Sequence, residues 1–123
     1  MEWKFNDETP IYLQIMEHIK TQIASGELKT NDKLPSVREL ALEAGVNPNT
    51  MQKALSELER EGLVYSQRTA GRFVADMKNT ADDLKESLAV QHMKEYLESM
   101  GKIGYPKQKA VELLAEYANK NSF

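Results

Sequence analysis

The chain has 123 residues, 41% of them hydrophobic and 28% charged, which fits one folded domain with an appendage and excludes a disordered chain. It has no cysteine, which excludes disulfides and thiolate metal sites, and no apolar run near the roughly 20 residues that a membrane span needs. The net charge of -3 sits unevenly: residues 1–76 hold nine Lys/Arg against twelve Asp/Glu, while residues 77–123 hold seven of each.

Thr9 is a plausible N-cap and Pro10 a plausible first-turn residue for a helix over residues 10–25, where Tyr12, Ile15, Met16, Ile19 and Ile23 recur at helical spacing. Gly26 supplies its stop. Residues 27–33 read as a polar connection, with a turn at Asn31-Asp32. Ser36-Val37-Arg38-Glu39 is a capping box opening a second helix, whose apolar face is Val37, Leu40 and Ala41 and which Gly45 ends. Asn47 caps a third helix with Pro48 at its first position; Met51, Ala54, Leu55 and Leu58 form its buried stripe, and Gly62 stops it. Residues 63–67 and 72–75 have β-propensity and flank Arg68-Thr69-Ala70-Gly71, which predicts a hairpin with Gly71 near the bend.

Three helices followed by a hairpin predict a mainly α (α+β) fold, a winged helix-turn-helix over residues 1–76. Residues 77–123 form the appendage. Residues 78–100 are helix-compatible, Gly101 and Gly104 interrupt the pattern, and Pro106 starts a last helix. Two such helices cannot bury a core alone. They either pack back on the winged domain or pair with a second copy. Two-fold dimers are the commonest oligomers, so the tail is read as a short dimerisation region using Leu84, Leu88, Met93, Leu97, Met100, Val111 and Leu114.

The third helix is polar at its leading end, as a helix entering a DNA groove must be. Asn47, Asn49, Thr50, Gln52 and Lys53 are the candidate readers: amides pair with adenine, Thr meets a thymine methyl or a phosphate, and Lys favours guanine or phosphate. Arg38 can fork onto a phosphate, and Ser36 can cap and donate to one. Arg68 and Arg72 flank the wing tip, where cations suit the minor groove, and Thr69 and Gly71 can offer backbone amides. Because the domain is acidic, its cations must be gathered on one face with Glu57, Glu59 and Glu61 turned away.

Enzyme signatures are lacking. His18 and His92 are isolated, no GxSxG, P-loop or GxGxxG occurs, and Tyr12, Tyr65 and Phe73 read as core. Asp82-Asp83 fits the preference of helix N-termini for acids. No catalysis, cofactor or metal is expected. The opening MEWKFNDETP lacks the basic and apolar regions of a signal peptide, so a cytoplasmic location is expected. A winged module that binds protein instead of DNA is the alternative, favoured by the acidic balance. A small-molecule effector bound by the tail is compatible with the DNA-binding reading; Met93, Tyr96, Leu97, Met100 and Tyr105 would line its pocket, although packing explains them more simply.

The run PIYLQI, the LPSVRELA box, GVNPNT and EREGL together resemble the winged helix-turn-helix of GntR-family bacterial transcription regulators, over residues 10–75. The short two-helix tail looks like the YtrA-like subfamily. The resemblance implies a homodimer that binds an inverted-repeat operator and usually represses. It also implies DNA contacts from the second-helix arginine, the recognition helix and the wing glycine, which correspond to Arg38, to Asn47, Asn49, Thr50 and Gln52, and to Gly71. Where the family often carries Gly-x-Gly-Thr, this chain has Thr69-Ala70-Gly71-Arg72, making Arg72 a candidate substitute contact. Some relatives have an arginine where Pro48 stands, so the base preference should differ from theirs.

Overall fold

The computed structural model describes residues 3–76 and 81–121, apart from the side chains of Ala81 and Asp82. Helices α1 (Ile11–Ala24), α2 (Val37–Ala44) and α3 (Pro48–Arg60) are followed by strands β1 (Val64–Gln67) and β2 (Gly71–Val74), then by α4 (Ala81–Lys102) and α5 (Lys107–Lys120). The expected start of the fourth helix at Lys78 lies outside the described residues, as does the Asp82 side chain.

The local signals act as their chemistry dictates. Ser36 Oγ accepts the Glu39 amide at 3.1 Å while the Glu39 carboxylate accepts the Ser36 amide at 3.3 Å, closing the capping box. Asn47 Oδ1 accepts the Asn49 amide at 2.7 Å, with Pro48 in the first turn of α3. Between these helices Gly45 adopts φ 71°, a left-handed conformation that costs any residue with a Cβ, and this reversal lets α3 leave at once. The start of α1 differs from expectation. Pro10, in extended conformation, takes the cap position and no side chain caps it; Thr9 lies outside. Gln14 does the tying, donating to the carbonyls of Asn6 (2.9 Å) and Thr9 (2.8 Å) and accepting the Asn6 amide (3.0 Å). A side chain one turn inside the helix thus replaces the cap by gripping the incoming strand of chain.

Both α1 and α2 pack on α3. Their shared core joins Ile15, Ile19 and Ile23 of α1, Leu40 and Ala41 of α2, and Met51, Ala54, Leu55 and Leu58 of α3 to Leu34, Leu63, Val64 and Val74. The stripes predicted from spacing are therefore the faces that bury. Trp3 and Phe5, which lie outside any periodic pattern, pack against this core; the Trp3 ring stacks on His18 with centroids 4.1 Å apart.

The hairpin pairs Val64 with Val74, Tyr65 with Phe73, Ser66 with Arg72 and Gln67 with Gly71. Gly71 opens β2 directly after the bend, with the positive φ expected of it, and Leu63 precedes β1. The connection before α2 is more than a polar loop. Lys33 bridges Phe73, the Asn31 amide donates to the Val74 carbonyl (2.8 Å), the Val74 amide to Asp32 (2.9 Å) and the Leu34 amide to Arg72 (2.9 Å). Residues 31–34 thus cover the outer edge of β2, satisfying backbone groups that a bare edge would leave open. Asn31, at φ 67°, makes the turn that feeds them in.

The chain divides into two compact units, Met1–Lys85 and Glu86–Phe123. In the second, α4 runs through Gly101, expected as an interruption, because a single glycine costs a helix interior only about 1 kcal/mol. The turn falls at Ile103-Gly104, where the Tyr105 amide reaches back to Met100 and that of Gly104 to Gly101. Tyr96 of α4 donates to the Ala110 carbonyl of α5 at 2.7 Å, and Ala110 is fully buried at that contact.

Candidate nucleic-acid interface

Helix α3 buries Met51, Ala54, Leu55 and Leu58, so Asn49, Gln52 and Lys53 are carried on its outer side, with Thr50 half-buried. Of the predicted readers, three have intramolecular duties. Asn47 is committed through Oδ1 to its cap, leaving its amide NH2 to other acceptors. Gln52 donates to Ser56 Oγ at 3.0 Å along the same helix face. Lys53 places its ammonium 4.0 Å above the Tyr12 ring, an arrangement of cation over aromatic face that fixes a long side chain at little entropic cost. Tyr12, read from the sequence as core, is half-buried and acts as this seat.

Arg38, second residue of α2, is exposed, and no hydrogen bond or ion pair engages its guanidinium among the described residues. Ser36 accepts within the capping box, and its hydroxyl hydrogen stays available to an acceptor such as a phosphate oxygen. Between the start of α2 and the wing lies an open groove of about 740 Å3, lined by Lys33, Ser36, Glu39, Gln67, Arg68 and Gly71 among others. Lys33 enters the site here, unforeseen, because the edge pairing of its own segment brings it beside the wing.

The wing tip is short. The Ala70 amide closes onto the Gln67 carbonyl at 3.1 Å, leaving Arg68 and Thr69 exposed at the apex. Gly71, at φ 106°, could not be replaced cheaply: the conformation is hostile to side chains, and a Cβ there would come within 3.3 Å of Lys33 Cε. Arg72 is turned away from the tip, its Nε 3.3 Å from Glu59 Oε1 on α3.

Glu57 and Glu59 of α3 and Glu61 at its end are each engaged by a donor. Glu57 accepts from Arg60, Glu61 from Lys20 of α1 at 3.1 Å, and Glu59 from Ser66 and Arg72 of the hairpin. The Ser66 hydroxyl, aided by Arg72 and opposed by partial desolvation, holds the Glu59 carboxyl below its ordinary range; the Glu57 bond pushes the Arg60 guanidinium above its own. Each of these three carboxylates is thereby compensated by a neighbouring donor.

His92 lies 3.9 Å from Glu95, one turn away on α4, and His18 lies under Trp3. Among the described residues no cluster of His, Asp and Glu could hold a metal ion. In the tail, Leu84 packs against the core of the first unit, Leu88 is buried, and Leu97 and Met100 are half-buried. Met93, Val111 and Leu114 stay 55%, 58% and 47% exposed, and Ile103 and Tyr117 are exposed too. No described helix is long and apolar enough to cross a membrane.

Comparison with known proteins agrees with this geometry. Residues 11–74 match the model of the bacterial regulatory proteins, gntR family. The HTH-type transcriptional repressor YtrA of Bacillus subtilis is 38% identical over 109 residues, covering 88% of this chain and 84% of its own. A GntR family transcriptional regulator from Listeria monocytogenes superposes with a TM-score of 0.78 at 37% identity, over 91% of this chain and 98% of its own. The DNA-binding domain of AraR, solved in complex with operator ORX1, superposes with a TM-score of 0.57 at 34% identity, over 61% of this chain and 96% of its own.

Proposed function

The chain belongs to the gntR family of bacterial regulatory proteins, and on that premise we propose that it is a repressor that binds an inverted-repeat operator as a homodimer. The observation that carries the reading is the division of α3, whose inner stripe is wholly buried while Asn49 and Gln52 are exposed, together with an exposed Arg68 and an exposed Arg38 whose guanidinium has no partner among the described residues. Amides in the major groove read bases, and flanking arginines set the register on phosphates. The name of the YtrA relative supports repression, and the operator-bound AraR domain supports double-stranded DNA as the partner. The exposed apolar residues Met93, Val111 and Leu114 support pairing of two copies through the tail, which would present two reading helices to two half-sites about one helical turn or more apart.

The test is selection of bound DNA from a random pool, followed by titration of the recovered site over a salt series. Recovery of a two-fold-symmetric sequence bound with a steep salt dependence is the expected result. Absence of an enriched sequence, with binding insensitive to salt, would overturn the proposal in favour of a protein-binding wing.

A further inference from the structure

We infer that Arg72 is a positioning residue for the wing, clamped by Glu59 of the reading helix, and that Arg68 is the cation the wing gives to the phosphate backbone. The inference rests on the DNA-binding reading above. One oxygen, Glu59 Oε1, accepts from two strands at once: Ser66 Oγ of β1 at 2.5 Å and Arg72 Nε of β2 at 3.3 Å. Ser66 and Arg72 are directly opposed in the hairpin register, so a single carboxylate grips one complete rung. The Arg72 backbone is held from the other side, its carbonyl accepting the Leu34 amide at 2.9 Å. Its side chain is only 20% exposed, and its charge is balanced by its partner.

The position of this rung gives the clamp its leverage. Only the Gln67–Gly71 pair separates it from the turn, so Arg68 projects about 7 Å beyond the clamp at the usual rise per strand residue. Rotation of the rung against α3 would carry Arg68 with it. A surface ion pair of this kind adds little to stability. What it fixes is the angle between the reading helix and the wing, so that base contacts and the wing contact can be made together.

The experiment uses the full chain and its selected operator, titrated over a salt series, with Arg68→Gln, Arg72→Gln, Glu59→Gln and the Arg68→Gln/Arg72→Gln pair, each first checked for cooperative thermal unfolding. Losing the Arg68 contact should lower the magnitude of the salt slope by about 0.9, the share of one phosphate. Under the clamp, Glu59→Gln weakens binding and lowers the slope by the same amount although no cation is removed, and the paired arginine variant has the slope of Arg68→Gln alone. Tighter binding by Glu59→Gln, as expected from simply deleting a negative charge near DNA, would overturn the inference. So would slopes for the two arginines that add, since Arg72 would then be a phosphate contact of its own. Should Glu59→Gln not fold, the two arginine variants and their pair decide the matter by additivity. If wild-type binding has no salt dependence, the DNA reading itself fails, an outcome distinct from either arginine result.

Discussion

Arg38 stands at the second position of α2 beside a capping box that consumes Ser36 and Glu39 but leaves the guanidinium free of partners among the described residues. Its removal should cost binding without costing the fold. Arg38→Ala is expected to lower operator affinity by about 1–3 kcal/mol at fixed salt with an unchanged thermal midpoint; an equal loss in both would make it a structural residue. His18 carries a different expectation. Half-buried under Trp3, it has its pKa held below 6.5 chiefly by desolvation, while Glu27 and Glu43 pull the other way. The folded state then prefers the neutral ring, so stability is complete above the unfolded value of about 6.5 and is lost as the pH falls below it toward the folded pKa. Urea unfolding at a series of pH values should show this loss, and His18→Phe, which keeps an aromatic ring against Trp3, should remove that component. A profile unchanged by the substitution would assign the pH dependence to the carboxylates alone.

At the scale of elements, caps and stripes carry the fold. Ser36→Ala removes one half of a reciprocal cap and should lower stability by about 1 kcal/mol in chemical unfolding. The helix-turn-helix was legible in the sequence because its determinants are local: Ser36 and Glu39, Asn47 and Asn49, and the Gly45 reversal act within one turn of each other. What escaped was non-local or too short to show a period. Residues 31–34 join β2 through one isolated bridge and a few amides, which no alternation of two or three residues could announce. The seat of Lys53 on Tyr12 and the bond of Arg72 to Glu59 tie separate elements together, so the sequence showed both cations only as candidate DNA contacts and not their intramolecular partners. The amino-terminal grip by Gln14 is polar, out of phase with the apolar stripe that defines α1, and replaces the Thr9 cap that spacing suggested.

For the whole molecule, the proposed pairing of two copies is tested at an exposed apolar residue of α5. Leu114→Glu in the full chain should shift sedimentation from dimer to monomer and weaken operator binding, because a monomer engages only one half-site. A dimer that survives this change would place the interface elsewhere. The other molecular property is charge. The first 76 residues are net acidic, with Glu57, Glu59 and Glu61 paired, even as Arg38 and Arg68 have no partner among the described residues on the proposed contact side. For a regulator facing some millions of irrelevant sequences, occupancy depends on the ratio of right to wrong binding and not on affinity alone. On the DNA-binding reading, an overall negative protein is repelled by the duplex in most orientations, so its dwell on irrelevant DNA is brief and few copies are sequestered there. The acids that looked like an obstacle to binding thereby become a means of searching, shortening each false encounter while the few free cations are kept for the site where the bases also fit.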